Sequence, residues 1–441
     1  MNAKKLTIAQ AATVGVTLFS MFFGAGNLIL PPLLGLKAGT DVIPAVAGFL
    51  VTGIGLPILG VISVALAGTV RNLADRVHPV YGRIFVAAVY LAIGPCLAIP
   101  RTSSTSFEML VPLLPADMPI EIARLVFSAL FFSVAFLLAL RPGRLTKLLG
   151  HVTGPALILL IIAVTGAAIL NPEASVLAAQ APYDKAPALQ GFLTGYQTMD
   201  LLASLTFGIV IATNIRALGV TEPGSVAREI SRAGAVAGAI IGVIYIGFAF
   251  TGMQLSSVIP EATNGAFVLT ESATRHFGSA GVAIAAAIFL LACLNVCIGL
   301  ISCCGTYFAE EFPRTDYRAW ALGFAVFSCV VSNFGLDTIL AFSVPLLNAL
   351  YPVSICLVIM GLLHRLCDRV PGLWTWVIGV VTVVSVSVSL RDALAPKFWI
   401  PFDAQPFAAE SMGWVLPAVL AAVVGVVLGL ARRQPGERAA A

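Results

Sequence analysis

Apolar runs long enough to cross a bilayer recur near residues 8 to 35, 42 to 68, 80 to 111, 119 to 140, 150 to 170, 190 to 215, 232 to 255, 279 to 306, 318 to 334, 338 to 362, 373 to 390 and 413 to 431. About 20 residues of helix suffice for each crossing, so the pattern predicts an all-α polytopic membrane protein with about 12 transmembrane helices. A soluble globule of 441 residues could not clothe its surface with 10% charged residues beside 59% hydrophobic ones. With the N-terminus placed inside, eighteen Lys and Arg fall in inner loops, six in outer loops, and Arg101 within a span. That bias predicts both termini in the cytoplasm. It also accounts for the net charge of +4 without a nucleic-acid partner. The first run lacks a small-residue cleavage site and is read as retained. The eight cysteines fall in spans or on the inner side, so neither a disulfide framework nor a metal site at Cys303-Cys304 is expected.

The first run is not built to be one continuous helix. Gly24, Gly26 and Asn27 fall near its mid-depth in Phe-Ser-Met-Phe-Phe-Gly-Ala-Gly-Asn-Leu-Ile-Leu-Pro-Pro, residues 19 to 32, and each glycine costs about 1 kcal/mol in helix propensity. Hydrocarbon leaves unwound backbone without hydrogen-bond partners, so such a break survives only inside protein or along a polar cavity. Its freed amides face an anion and its freed carbonyls a cation. The competing reading is a glycine surface for helix packing.

The sixth run repeats the pattern, with Gly195, Gln197, Thr198 and Asp200 at mid-depth. A polar, proline-rich segment from Asn171 to Pro187 separates two sets of five runs. If these are repeats of opposite topology, helices 1 and 6 correspond, and paired interruptions in corresponding spans point to a transporter site. The expected organisation is a transport core over 1–366, with inverted repeats about 7–170 and 189–366. Two peripheral helices and a cytoplasmic tail make up 367–441. Asp200 is the carboxylate nearest the middle of a span, either as cation ligand, proton carrier or counter-charge to an ammonium, or as a structural group bonded to free amides or to Arg101.

The third run is kinked by Pro95 and Pro100 and then carries Arg101, five hydroxyl residues and Glu108. Intramembrane charge is costly, at least about 2.5 kcal/mol, and marks function by default; a register-fixing structural pair is the alternative. Arg101 and Glu108 lie seven apart, on nearly one helix face, placing Ser104 or Thr105 between them. The eighth run carries Asn295, Ser302 and Thr306, whose oxygens suit a hard cation such as Na⁺ or serve as interhelical glue. Residues 265 to 277 are too short and polar to span and read either as a lid or as a surface-lying helix.

The motifs Phe-Gly-Ala-Gly-Asn-Leu-Ile-Leu-Pro-Pro at 23 to 32, Pro-Arg-Thr with Ser-Phe-Glu at 100 to 108, and Gly-Tyr-Gln-Thr-Met-Asp at 195 to 200 resemble the bacterial branched-chain amino acid:cation symporters of the BrnQ type. The similarity extends through the helix-eight segment Leu-Ala-Cys-Leu to Gly-Leu-Ile-Ser. The resemblance implies a 5+5 inverted repeat of the sodium-dependent leucine-transporter type with broken helices 1 and 6. It also implies Na⁺-coupled import of leucine, isoleucine and valine through the bacterial inner (plasma) membrane. Gly24, Ala25, Gly26 and Asn27 would take the substrate carboxylate; Thr198, Asp200 and Ser204 would line the side-chain pocket and ammonium site. Carbonyls near Ser20 and Phe23 with Ser302 would hold Na⁺, and Arg101, Glu108 and Asn295 would serve as gating or scaffold residues. One departure bears on the cation site: relatives tend to have two threonines where this chain has Asn295-Val296, and a hydroxyl where it has Cys303. No cofactor beyond the coupling ion and no obligate protein partner are expected. The alternatives are a proton-coupled carrier using Asp200 and, remotely, an embedded enzyme. For the latter, His78, His151, His276 and His364 all sit at loops, away from any nucleophile and base.

Overall fold

The computed structural model describes residues 5–115, 117–141, 145–172, 175–395, 398–405, 407–408 and 412–431. Lys4, Arg144, Lys397, Arg432, Arg433 and Arg438, all part of the loop-charge argument, lie outside the described residues. Among the described residues all regular structure is helical. The first crossing is α1 (Ile8–Phe22) and α2 (Ala25–Ala38); the second is α3 (Val42–Leu50) and α4 (Leu56–Ala67), followed by a short α5 (Val70–Ala74). The third joins α6 (Pro79–Leu91) to α7 (Ala98–Leu110), the fourth is α8 (Ile120–Ala139), and α9 (Leu145–Leu148) leads into the fifth, α10 (Gly154–Leu170). The sixth is again double, α11 (Pro187–Tyr196) and α12 (Asp200–Ala217), and α13 (Pro223–Gln254) is the seventh. After α14 (Gly265–Phe277) come α15 (Ala280–Glu311), α16 (Tyr317–Ser332) and α17 (Leu336–Leu362), then a short α18 (His364–Cys367), α19 (Leu373–Leu394) and α20 (Val415–Ala431). All twelve apolar runs of the sequence are therefore present as helix.

The side chains turned outward identify the solvent these helices were selected for. Ile122, Leu125, Leu130 and Leu137 of α8 and Leu159, Ile162 and Ile169 of α10 are exposed. In water each would forfeit on the order of 1.5–3 kcal/mol of burial; against acyl chains they forfeit none. The polar residues point the other way: Arg101 through Ser106 of α7 are all buried.

Glycine decides where helices meet most closely. A Cβ on Gly35 of α2 would land on the backbone of Ala249 in α13, and one on Gly252 of α13 would land on Pro32. The sixth and second crossings meet the same way, Gly48 of α3 against Ala188 and Gly191 of α11 against Ala45. Matching crossings one to five onto six to ten exchanges these two contacts, as an inverted repeat requires. The third and eighth crossings pair with each other through Tyr90 and Tyr307, stacked at 4.1 Å. α14 packs on α2 and α15 and buries Val268, Leu269 and Ala273, so it is part of the packed body. At the other end of the chain α19 packs on α17, and α20 on α19.

Candidate functional site

Both interruptions arise from local chemistry. α1 ends where the Phe23 N–H closes on Phe19 O at 2.8 Å. The next amide, Gly24 N–H, would continue the helix by bonding Ser20 O, but it donates to Asn27 Oδ1 at 3.1 Å. Asn27 thus caps α2 from its own third position, leaving the Ser20 to Phe23 carbonyls and the Ala25 and Gly26 amides past the ends of the helical ladders. In the sixth crossing the Thr198 hydroxyl bonds Gly195 O at 2.9 Å. Met199 then adopts the left-handed conformation at φ 68°, and Asp200 opens α12, where a carboxylate complements the helix dipole.

The two breaks meet. Asn27 Nδ2 donates to Asp200 Oδ2 at 2.6 Å and also to the hydroxyl of Tyr245 on α13, which itself donates to Asp200 Oδ2 at 3.2 Å. Three crossings are tied at one carboxylate oxygen. Beside this knot lies a cavity of about 40 Å³ lined by Gly24, Ala25, Gly26, Asn27, Arg101, Thr102, Thr198 and Asp200 on its polar side. Phe22, Ile93, Ala203, Phe207, Val296 and Leu300 form the apolar wall. Small-molecule pockets usually run to roughly 300 Å³ or more, so in this conformation the site is contracted to the space of a few waters.

The structure therefore gathers Gly24, Ala25, Gly26, Asn27, Thr198 and Asp200 at one cavity. Ser204 is not among them: its hydroxyl bonds Leu201 O at 2.6 Å and faces Gly60 of α4. Arg101 does line the cavity, but Glu108 is half-buried two turns further along α7, and among the described residues no ion pair joins them. Ser104 does not bridge the two; its hydroxyl bonds Ser332 O at 3.0 Å. Of the residues expected at a cation, the Ser20 hydroxyl donates to Leu149 O at 3.3 Å, Phe23 stacks on Phe19 at 5.0 Å, and Ser302 meets the Tyr317 hydroxyl at 3.4 Å. Asn295 is buried with neither carboxamide atom bonded among the described residues.

Sequence reasoning did not single out Tyr245. The available signal was a tyrosine in mid-span, since a buried phenol needs a partner. Replacing Tyr245 by Phe leaves an Asn27 N–H without its acceptor. The expected loss is about 1–3 kcal/mol of stability, read as a lower thermal midpoint of the purified protein in detergent; an unchanged midpoint would remove Tyr245 from the network.

Comparison with known proteins bears directly on this arrangement. The family model described as branched-chain amino acid transport protein matches residues 7–432. The chain belongs to that family. Among its curated relatives is the branched-chain amino acid permease BraB of Bacillus subtilis, 36% identical over 96% of this chain and 96% of the relative. Another is the branched-chain amino acid transport system 2 carrier protein of Pseudomonas aeruginosa, 37% identical over 97% of this chain and 98% of the relative. These relatives of the family member described here are named as permeases and carriers, not enzymes. Among solved structures the fold is similar to Mhp1, a nucleobase-cation-symport-1 family transporter, in a closed conformation with bromovinylhydantoin bound, with a TM-score of 0.59 at 13% identity over 94% of this chain and 91% of that one. At that identity the likeness is one of fold, a 5+5 inverted repeat with crossings one and six broken.

Proposed function

We propose that this chain imports leucine, isoleucine and valine across the bacterial inner membrane by symport with Na⁺, through alternating access. The observation that carries the reading is the meeting of both broken helices at one small, polar-lined cavity in a member of a family whose relatives are named branched-chain amino acid permeases. The apolar wall of Phe22, Ile93, Phe207, Val296 and Leu300 favours a branched aliphatic side chain. One methylene in such a pocket discriminates only about 10- to 200-fold, so the three substrates overlap. The contracted cavity is read as a closed state that widens when the first and sixth crossings rock against the third and eighth, with both termini cytoplasmic.

For the cation, support comes from the Ser20 and Phe23 carbonyls, which lie past the last backbone bond of α1 and offer the hard oxygens Na⁺ prefers. Ser302 and the Asn295 carboxamide, which no side chain or backbone group bonds among the described residues, lie along the eighth crossing, where Gly299 packs on Met21 of α1. One Na⁺ with a zwitterion moves one net charge, worth about 2.3 kcal/mol per 100 mV and so roughly fifty-fold accumulation. The second reading, proton coupling, is favoured by a single fact: a buried carboxylate, Asp200, sits at the site itself.

Uptake of labelled leucine into proteoliposomes, under an inward Na⁺ gradient or an equal proton gradient at fixed voltage, tests both. The expected result is accumulation with Na⁺ alone. Accumulation with protons alone would move the coupling to Asp200, and none with either would overturn the substrate.

A further inference from the structure

We propose that Arg101 is the anchor for the carboxylate of the transported amino acid, and that the carboxylate thereby bridges the two parts of the protein that move against each other. This rests on the amino-acid transport reading above and adds to it the group that selects for the substrate's acid end. Arg101 is 8% exposed, on α7, and lines the cavity. Among the described residues no hydrogen bond or ion pair satisfies its guanidinium, although a carboxylate, Asp200, lines the same cavity. A guanidinium so nearly buried is expensive to maintain without a partner, and a planar carboxylate is the ligand whose geometry matches its fork.

Gly26 supplies the second observation. A Cβ at Gly26 would meet Arg101 Nη2 at 2.5 Å and the Thr198 backbone at 3.3 Å. Arg101 Nη2 thus lies against Gly26, in the first turn of α2, the turn whose Ala25 and Gly26 amides no helical carbonyl uses. Fixed positive charge and a helix N-terminus converge on one spot. Asp200, which lines the same cavity, receives Asn27 and Tyr245 on Oδ2, and its carboxylate supplies the negative charge an ammonium requires. A guanidinium and a carboxylate lining one cavity complement the two opposite charges of an amino acid zwitterion. The amides belong to the first crossing and the guanidinium to the third, so a carboxylate held between them ties the rocking pair to its scaffold. A substrate without that group leaves the two unlinked.

The competing role for Arg101 is counter-charge to Asp200, in which case substrate chemistry is indifferent to it. The experiment that separates them is competition against labelled leucine, in proteoliposomes of the full chain, by leucine, leucinamide, isopentylamine and 4-methylpentanoate. On the wild-type protein leucinamide and isopentylamine are expected to compete roughly thirty-fold or more weakly than leucine, a result that needs no variant. Arg101→Gln is expected to erase that ratio, bringing leucine down to the level of leucinamide, and Arg101→Lys to retain part of it. Leucinamide competing on the wild type as well as leucine does would overturn the proposal while leaving leucine transport standing. So would an Arg101→Gln protein that still prefers leucine by the wild-type ratio. A wild type that takes up no leucine would overturn the transport reading and this proposal together.

Discussion

Replacing Asp200 by Asn is expected to cut leucine uptake at least a hundredfold, in exchange as well as in net accumulation. Asp200 Oδ2 accepts from Asn27 Nδ2 and from Tyr245, and those two groups hold the first and seventh crossings to the sixth. An asparagine can keep those bonds only by turning its own carbonyl toward them, which aims its NH₂ at the cavity, where an ammonium must bind. The alternative rotamer sets NH₂ against NH₂ at Asn27. Either way the cavity loses the negative charge that a substrate ammonium would meet, and leaving a buried charge without its partner costs about 3–5 kcal/mol, more than a hundredfold in an equilibrium or rate. Uptake and counterflow of labelled leucine measure it. Wild-type rates in both would exclude Asp200 from the transport cycle, and counterflow without accumulation would confine it to coupling.

The second large effect concerns folding. Valine at Gly35 would place side-chain carbon on the Ala249 carbonyl of α13, and because that atom is backbone, the helices must separate. Overpacking of an ordinary core costs about 1–3 kcal/mol; here the strain spreads along a helix pair already in backbone contact at Gly252 and Pro32, so a loss of about 3 kcal/mol or more is expected. The measurement is the monodisperse fraction after extraction, with the thermal midpoint of what survives. Gly166→Val is the control, because a Cβ there meets nothing within 4 Å and its midpoint should stay at the wild-type value. A Gly35→Val protein as stable as that control would mean the close α2–α13 approach is dispensable.

These two sites mark what the sequence reveals and where it stops. Runs of apolar residues locate all twelve crossings, since hydrocarbon thickness fixes their length and backbone satisfaction fixes their helicity. The breaks at 24 to 27 and 197 to 199 are equally legible, because glycines and polar residues at mid-span are local features; the left-handed turn at Met199 that completes the second break is not. Partner choice is not local. Nothing in the order of residues says that Ser204 turns to Gly60, that Ser20 spends its hydroxyl on Leu149, or that Tyr245 reaches Asn27 across 218 positions. The spacing of Arg101 and Glu108 placed them on one face, yet the guanidinium is drawn to the end of α2 in another crossing.

The exchange of contacts between the halves also bears on how the chain is made. α2 docks on α13, and α11 on α3, so each half lends its broken helix to the second crossing of the other. Ala249 follows Gly35 by 214 residues, which at ordinary rates of synthesis is roughly ten to forty seconds. Through that interval the first crossing is in the bilayer with its interruption uncovered and neither Asp200 nor Tyr245 yet available to Asn27. Until the seventh crossing arrives, the polar centre that serves the finished protein lacks the partners that satisfy it.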